Sequence, residues 1–190
     1  MHLFRRTGEV ARVGGWEVDL VNNTVWWSDV TREIHDEPPD FQPTLEGGIA
    51  YYLKGRDRET ITREFTRAAE EGIPFDLELR IRTAKGRIRW IRTVAYPEQE
   101  GGKTVRVSGA FQDITDEVSL RHQLQQERDF NRALLQNLSA GFSMVDASGV
   151  QTEVNPAMCA LTGFSREELL GCAPPYPYWH PDHLEETDAA

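Results

Sequence analysis

Three things are scarce in this chain, and each scarcity excludes a class of function. Cysteine is the first: 190 residues carry only Cys159 and Cys172. They lie 13 apart and outside any Cys-x-x-Cys pair, which reads as a reduced, cytoplasmic setting. Positive charge is the second. The 21 basic residues face 31 acidic ones, for a formal net charge of −10. An acidic surface repels phosphates, so nucleic-acid binding is not expected. Long apolar runs are the third. No stretch approaches the roughly 20 residues that cross a bilayer, and MHLFRRTGEVARVGGW has no apolar region ahead of a cleavage site.

Catalytic and metal patterns are missing as well. Gly14-Gly15 and Gly47-Gly48 lack the flanking residues of a phosphate-binding loop. No Ser, Cys or Thr sits in a nucleophile motif. His180 and His183 have His-x-x-His spacing beside Asp182 and Glu185, but Pro181 breaks the helix that would present them, so no metal is expected. His122 lacks the Glu/Asp-x-x-x-Pro context of a phosphorylated kinase histidine, and no ATP-binding domain follows it. The chain itself reads as non-enzymatic.

What is present fills a core: 39% hydrophobic residues, 9% aromatic, five Trp. GGWEVDLVNNTVWWSD reads as two short strands around Asn22-Asn23, with Val18, Val25 and Trp27 facing inward. Ser28 or Asp29 caps a short helix, and Pro38, Pro39 and Pro43 then mark a loop. From Gly55 to Gly72, Ile61, Phe65 and Ala68 or Ala69 recur at helical spacing, and Gly72 supplies the stop.

In PFDLELRIR, Phe75, Leu77, Leu79 and Ile81 alternate with charged residues, the signature of a half-buried antiparallel strand. Turns at Lys85-Gly86 and Gly101-Gly102 extend it into a three-strand meander, with Arg87, Arg89 and Arg92 expected to meet Asp76 and Glu78 across the solvated face.

The last strand runs into a helix at Asp113-Ile114-Thr115 with no loop between them. Asp113 or Thr115 can cap that helix, and Asp116 and Glu117 suit its first turn. Leu120, Leu124, Glu127, Asn131, Leu134 and Leu138 follow as a heptad seam with two polar positions, which predicts a homodimer. A helix packed on its own domain is the alternative. Beyond Leu138 the opening pattern returns. Residues 141–164, moved back by 127, lie on 14–37 without a gap: Val145 on Val18, Asp146 on Asp19, Val154 on Trp27 and Leu161 on Ile34. After REELLG nothing in the sequence could supply a second meander.

VGGWEVDLVNNTVWWSD, GIPFDLELRIRTAKGRIRWIR and VSGAFQDITDE, spanning Val13 to Glu117, resemble a PAS domain of the kind found in sensor proteins. GFSMVDASGVQTEVNPAMCALTGFSREELLG resembles the opening half of another. The resemblance implies an α+β fold: a five-stranded antiparallel sheet of order 2-1-5-4-3 with flanking helices. It implies a PAS domain over 1–117, a linker helix over 118–138 and a partial PAS domain over 139–190.

The same resemblance implies a sensory relay module, with a sensor histidine kinase as parent and a downstream effector domain as partner. A cyclic-dinucleotide protein is the alternative parent, and a ligand-free assembly module the alternative role. Asp113, Ile114 and Thr115 would transmit the signal. Trp27, Ile34, Phe65, Leu79, Trp90 and Phe111 would line a ligand pocket; Leu120, Leu124, Leu134 and Leu138 would form the dimer seam. Relatives that bond a flavin place a Cys in an Asn-Cys-Arg-Phe-Leu context, which is missing here, and haem-binding relatives carry a His on the long helix, where Gly55–Gly72 has none. A small metabolite remains as the candidate ligand. Where many PAS relatives carry a stretch like His-Pro-Asp-Asp-Arg before the long helix, LKGRDR keeps only Asp57-Arg58.

Overall fold

A computed structural model of the chain describes residues 12–179. They fall into two compact units that divide between Leu120 and Arg121. In the first, β1 (Val13–Asp19) turns into β2 (Thr24–Trp27). Asp19 builds the turn, its carboxylate accepting from the amides of Val21 at 2.9 Å and Asn22 at 2.8 Å. Helices α1 (Asp29–His35), α2 (Leu45–Ala50) and α3 (Arg56–Glu71) follow. The meander is β3 (Phe75–Arg82), β4 (Ile88–Glu100) and β5 (Lys103–Asp113). β5 pairs back onto β1, giving an antiparallel sheet of order β2-β1-β5-β4-β3.

The three helices cover one face of this sheet. Trp16, Val18, Phe75, Leu79, Ile81, Ile91, Ala95, Val107 and Phe111 from the strands meet Ile34, Ile61, Phe65 and Ala68 from the helices. Each cap follows from its sequence. Ser28 accepts from the Thr31 amide to start α1, and Gly72, at φ 71°, ends α3 in the left-handed conformation that glycine takes without penalty. Asp57 and Arg58 hold the start of α3. Arg80 donates twice to Asp57 Oδ2, at 2.7 and 3.0 Å, and Arg58 donates to the Ala50 and Tyr52 carbonyls.

Two expectations need correction. The proline-marked loop contains α2, because Thr44 caps it by accepting from the Gly47 amide at 3.1 Å. The three arginines also do not share one face. Arg92 pairs with Asp76 on the outer face as expected, but Arg87 and Arg89 pair with Asp36. The strand period of two explains it: Arg87 and Arg89 share the parity of the buried Ile91, whereas Arg92 has the opposite parity.

The helix α4 (Thr115–Asn137) starts in the first unit and runs into the second. There, β6 (Ser143–Val145), β7 (Gln151–Val154), α5 (Pro156–Thr162) and α6 (Arg166–Leu169) follow. Moving the bounds of β2 and α1 by 127 gives those of β7 and α5. No helix among the described residues is long and apolar enough to cross a membrane. His180 and His183 lie outside the described residues.

Candidate functional site

A cavity of about 60 Å³ sits between the helices and the sheet of the first unit. Trp16, Val18, Val25, Trp27, Thr93 and Phe111 line it from the strands; Thr31 and His35 line it from α1. Thr44, Leu45, Gly48 and Ile49, in and beside α2, and Tyr52, Ile61 and Phe65 close it. The close approach of α1 to β1 depends on Gly14, where a Cβ would lie 2.2 Å from Thr31 Oγ1.

His35 is the most polar group of this lining. Its ring lies between Trp27, with centroids 4.2 Å apart, and Phe111, at 4.8 Å, and meets the edge of Tyr51. Nδ1 donates to the Thr31 carbonyl at 2.8 Å. Burial lowers its pKa to about 4, Arg89 adds to the shift, and the Thr31 bond and Asp36 oppose it. The imidazole is therefore neutral at pH 7.

The next residue leads out of the cavity. Asp36 closes α1 in the left-handed conformation, at φ 62°, and its carboxylate turns to β4. Arg87 Nε donates to it at 2.9 Å, and Arg89 Nη2 at 3.3 Å. Burial opposes its ionisation, but Arg87, Thr83 and Arg89 together hold the carboxyl below its ordinary value. Arg89 Nη1 then donates to Asp113 Oδ2 at 2.7 Å. Arg89, Asp36 and Asp113 are only 15%, 4% and 7% exposed at their side chains, so these contacts are poorly screened by water.

Asp113 is the first residue of the strand-to-helix junction. Its Oδ1 accepts from the Thr115 hydroxyl at 2.6 Å and the Thr115 amide at 3.0 Å. Thr115 Oγ1 accepts from the Trp90 amide at 3.0 Å, and the Ile114 amide donates to the Trp90 carbonyl at 2.9 Å. Ile114 and Val118 are buried. The first turn of α4 is thus pinned to β4 by side chain, backbone and packing together.

Of the residues expected to line a pocket, Trp27, Phe65 and Phe111 are brought together around the cavity. Ile34 and Leu79 are buried in the core without lining it. Trp90 is a correction. It stands on the opposite face of the sheet from the buried Ile91, partly exposed, with the Arg80 guanidinium 5.4 Å from its ring. Leu120, Leu124, Leu134 and Leu138 are all exposed. The sequence reading missed the walls supplied by Thr44, Leu45, Gly48 and Ile49, and the Asp36–Arg89 link. A Thr three residues ahead of the Gly47 amide was the one available signal for α2.

Two PAS-fold family profiles match, over residues 24–111 and 129–190. The chain belongs to the PAS family. Its 24–111 match covers the cavity walls from β2 to Phe111, and the 129–190 match covers the repeated strand–strand–helix. Among curated PAS relatives, the sensor protein FixL of Bradyrhizobium diazoefficiens is 28% identical over 88% of this chain and 33% of its own length. The probable diguanylate cyclase DgcE of Escherichia coli is 28% identical over 86% of this chain and 15% of its own length. The C4-dicarboxylate transport sensor protein DctS of Rhodobacter capsulatus is 47% identical over 34% of this chain and 10% of its own length. The chain thus spans a third or less of these relatives.

Among solved structures, a sensory box histidine kinase/response regulator from Burkholderia thailandensis has a TM-score of 0.54. It is 23% identical and covers 68% of this chain and 98% of that one. It attests the fold.

Proposed function

We propose that this chain is the sensory and relay module of a larger signalling protein, a histidine kinase in the first place. Binding in the first-unit cavity biases α1. The ion pairs of Asp36, Arg89 and Asp113 pass that bias to the junction, and α4 carries it onward, paired with a second copy through Leu120, Leu124, Leu134 and Leu138. The module works in the cytoplasm, binds no nucleic acid and performs no chemistry itself. One observation carries the proposal: the cap of the cavity-lining helix is tied through Arg89 to the residue that launches α4.

A loop at this point would absorb motion, whereas direct continuity passes it on. Inserting Gly-Gly between Ile114 and Thr115 of the full-length protein should abolish the response of its output; the first unit should still fold, with its melting lowered by the loss of the Thr115 and Val118 contacts. A response that survives the insertion would sink the proposal. The curated similarity to a probable diguanylate cyclase supports a cyclic-dinucleotide enzyme as the second candidate output. The small cavity supports a different second reading, a ligand-free assembly module. Mass spectrometry of what the denatured chain releases, set beside light scattering across concentration, separates sensing from assembly.

A further inference from the structure

We propose that the first-unit cavity takes an uncharged, mainly apolar molecule that donates one hydrogen bond to Nε2 of His35. This rests on reading the cavity as the sensing site and adds the chemistry of what enters it. Charge is decided by the lining, which contains no Asp, Glu, Lys or Arg. The two charges that act on His35, Asp36 and Arg89, are paired with each other, and with Arg87 and Asp113. A ligand bearing a full charge would lie buried without a counter-ion, and burial of that kind is strongly opposed.

The hydrogen-bonding character is decided by which polar atoms are already used. Thr31 Oγ1 donates to the Gly15 carbonyl at 2.8 Å and lies 3.1 Å from Ser28 Oγ. Thr44 Oγ1 caps α2. Thr93 is hydrogen-bonded to Tyr52. His35 differs. The Thr31 carbonyl can only accept, so the proton of the neutral ring sits on Nδ1 and Nε2 carries a lone pair. No donor among the described residues is hydrogen-bonded to Nε2. A ligand N–H or O–H satisfies it; a ligand with acceptors alone does not. The ring cannot turn over to offer a donor without giving up the Thr31 bond.

Size follows from the volume. A dry cavity of about 150 Å³ takes benzene, with its six carbons, so one of about 60 Å³ suits a ligand of roughly two or three non-hydrogen atoms. Methanol and ethanol have this size and chemistry.

The test titrates the whole chain with ethanol, dimethyl ether and formate, followed by amide and side-chain NMR. Ethanol and dimethyl ether are isomers of one size and differ in the O–H. Ethanol should shift the resonances of Trp27, Thr93 and Phe111 and bind at least tenfold tighter than dimethyl ether, with formate leaving them unmoved. His35→Phe keeps an aromatic ring between Trp27 and Phe111 and should bring the ethanol-to-ether ratio below twofold. In the wild-type chain with ¹⁵N-histidine, the Nε2 resonance should move with ethanol and stay still with dimethyl ether, a readout that does not depend on the variant folding. Equal binding of ethanol and dimethyl ether would overturn the role of His35 while leaving the cavity a binding site. Formate bound among the same residues would overturn the argument from charge. Binding of none of the three would remove the cavity reading itself.

Discussion

Ser28 and Asn155 hold equivalent places in the two units. Ser28 Oγ accepts from the Gly15 amide at 3.0 Å and the Thr31 amide at 3.2 Å. Asn155 Oδ1 accepts from the Phe142 and Met158 amides, both at 2.8 Å. Each starts its helix and holds the end of the preceding hairpin. At the other end of the helix, His35 Nδ1 donates back to the Thr31 carbonyl, and Thr162 Oγ1 to that of Met158, both at 2.8 Å. Asp36 and Gly163 then close the two helices in the left-handed conformation. The backbone frame is one frame, used twice.

The differences lie in what each residue does beyond the frame's needs. Glycine suffices for a left-handed cap and Gly163 does no more. Asp36 costs more there, since a side chain disfavours positive φ, and its carboxylate reaches Arg87 and Arg89. Thr162 is a partly exposed hydroxyl, where His35 is buried within an aromatic cluster. In the first unit the cap also anchors a chain of ion pairs. The sharpest way to break that difference is Arg89→Leu, which leaves Asp113 and Asp36 desolvated and short of a cation. Losing one partner of a buried ion pair costs 3–5 kcal/mol. With Arg89 partly solvated and Arg87 still on Asp36, about 3 kcal/mol is expected in urea unfolding of the first unit. Amide exchange at Thr115 and Val118 should accelerate, while β6, β7 and α5 keep their protection.

How far the sequence could lead differs between the frame and the ion-pair chain. The frame was legible, because strand alternation, caps and turn residues are local, and the offset of 127 carries β2 and α1 onto β7 and α5. The sheet order came from family resemblance; alternation alone does not say that β5 lies beside β1. Trp90 was misread because Arg89-Trp90-Ile91 puts large apolar groups on both faces of one strand, so period two cannot choose between them. α2 was hidden by Gly47-Gly48, poor helix formers that owe their helix to the Thr44 cap and to packing over the cavity. The Asp36–Arg89 contact joins residues 53 positions apart, and no local pattern reports a pair at that separation.

Acid should also separate the units. The native His35 protonates near pH 4, its unfolded counterpart near the ordinary 6.5. Between those values the unfolded chain binds more protons, so native stability falls as pH drops through that window. From pH 7 to pH 5 the expected loss is about 2 kcal/mol. Asp36 acts in the same direction only lower down, as pH falls through and below its ordinary value. Thr162, the counterpart of His35, does not titrate. Urea midpoints across pH, read separately from amides of each unit, should therefore show the slope in the first unit. His35→Phe should flatten it between pH 7 and 5. An equal slope in both units would mean that another group dominates.

The smallest effect sharpens the comparison from the other side. Asn155 carries an amide nitrogen that Ser28 lacks, and it donates to the carbonyls of Leu135 at 3.0 Å and Ala140 at 2.9 Å. The last turn of α4 would otherwise leave such carbonyls to water. Asn155→Ser turns the second cap into a copy of the first: the hydroxyl still accepts from the Met158 amide, but the tether is gone. A net hydrogen bond contributes about 1 kcal/mol; Ala140 is exposed and Leu135 half-buried, so water can take over part of the lost bonding. The expected cost is thus about 1 kcal/mol in total, confined to the end of α4. The Leu138 amide, bonded to the Leu134 carbonyl at 3.1 Å, should exchange roughly fivefold faster. An unchanged rate at Leu138 would mean that the frame alone holds this turn, and that the extra arm of Asn155 adds nothing Ser28 does not already provide.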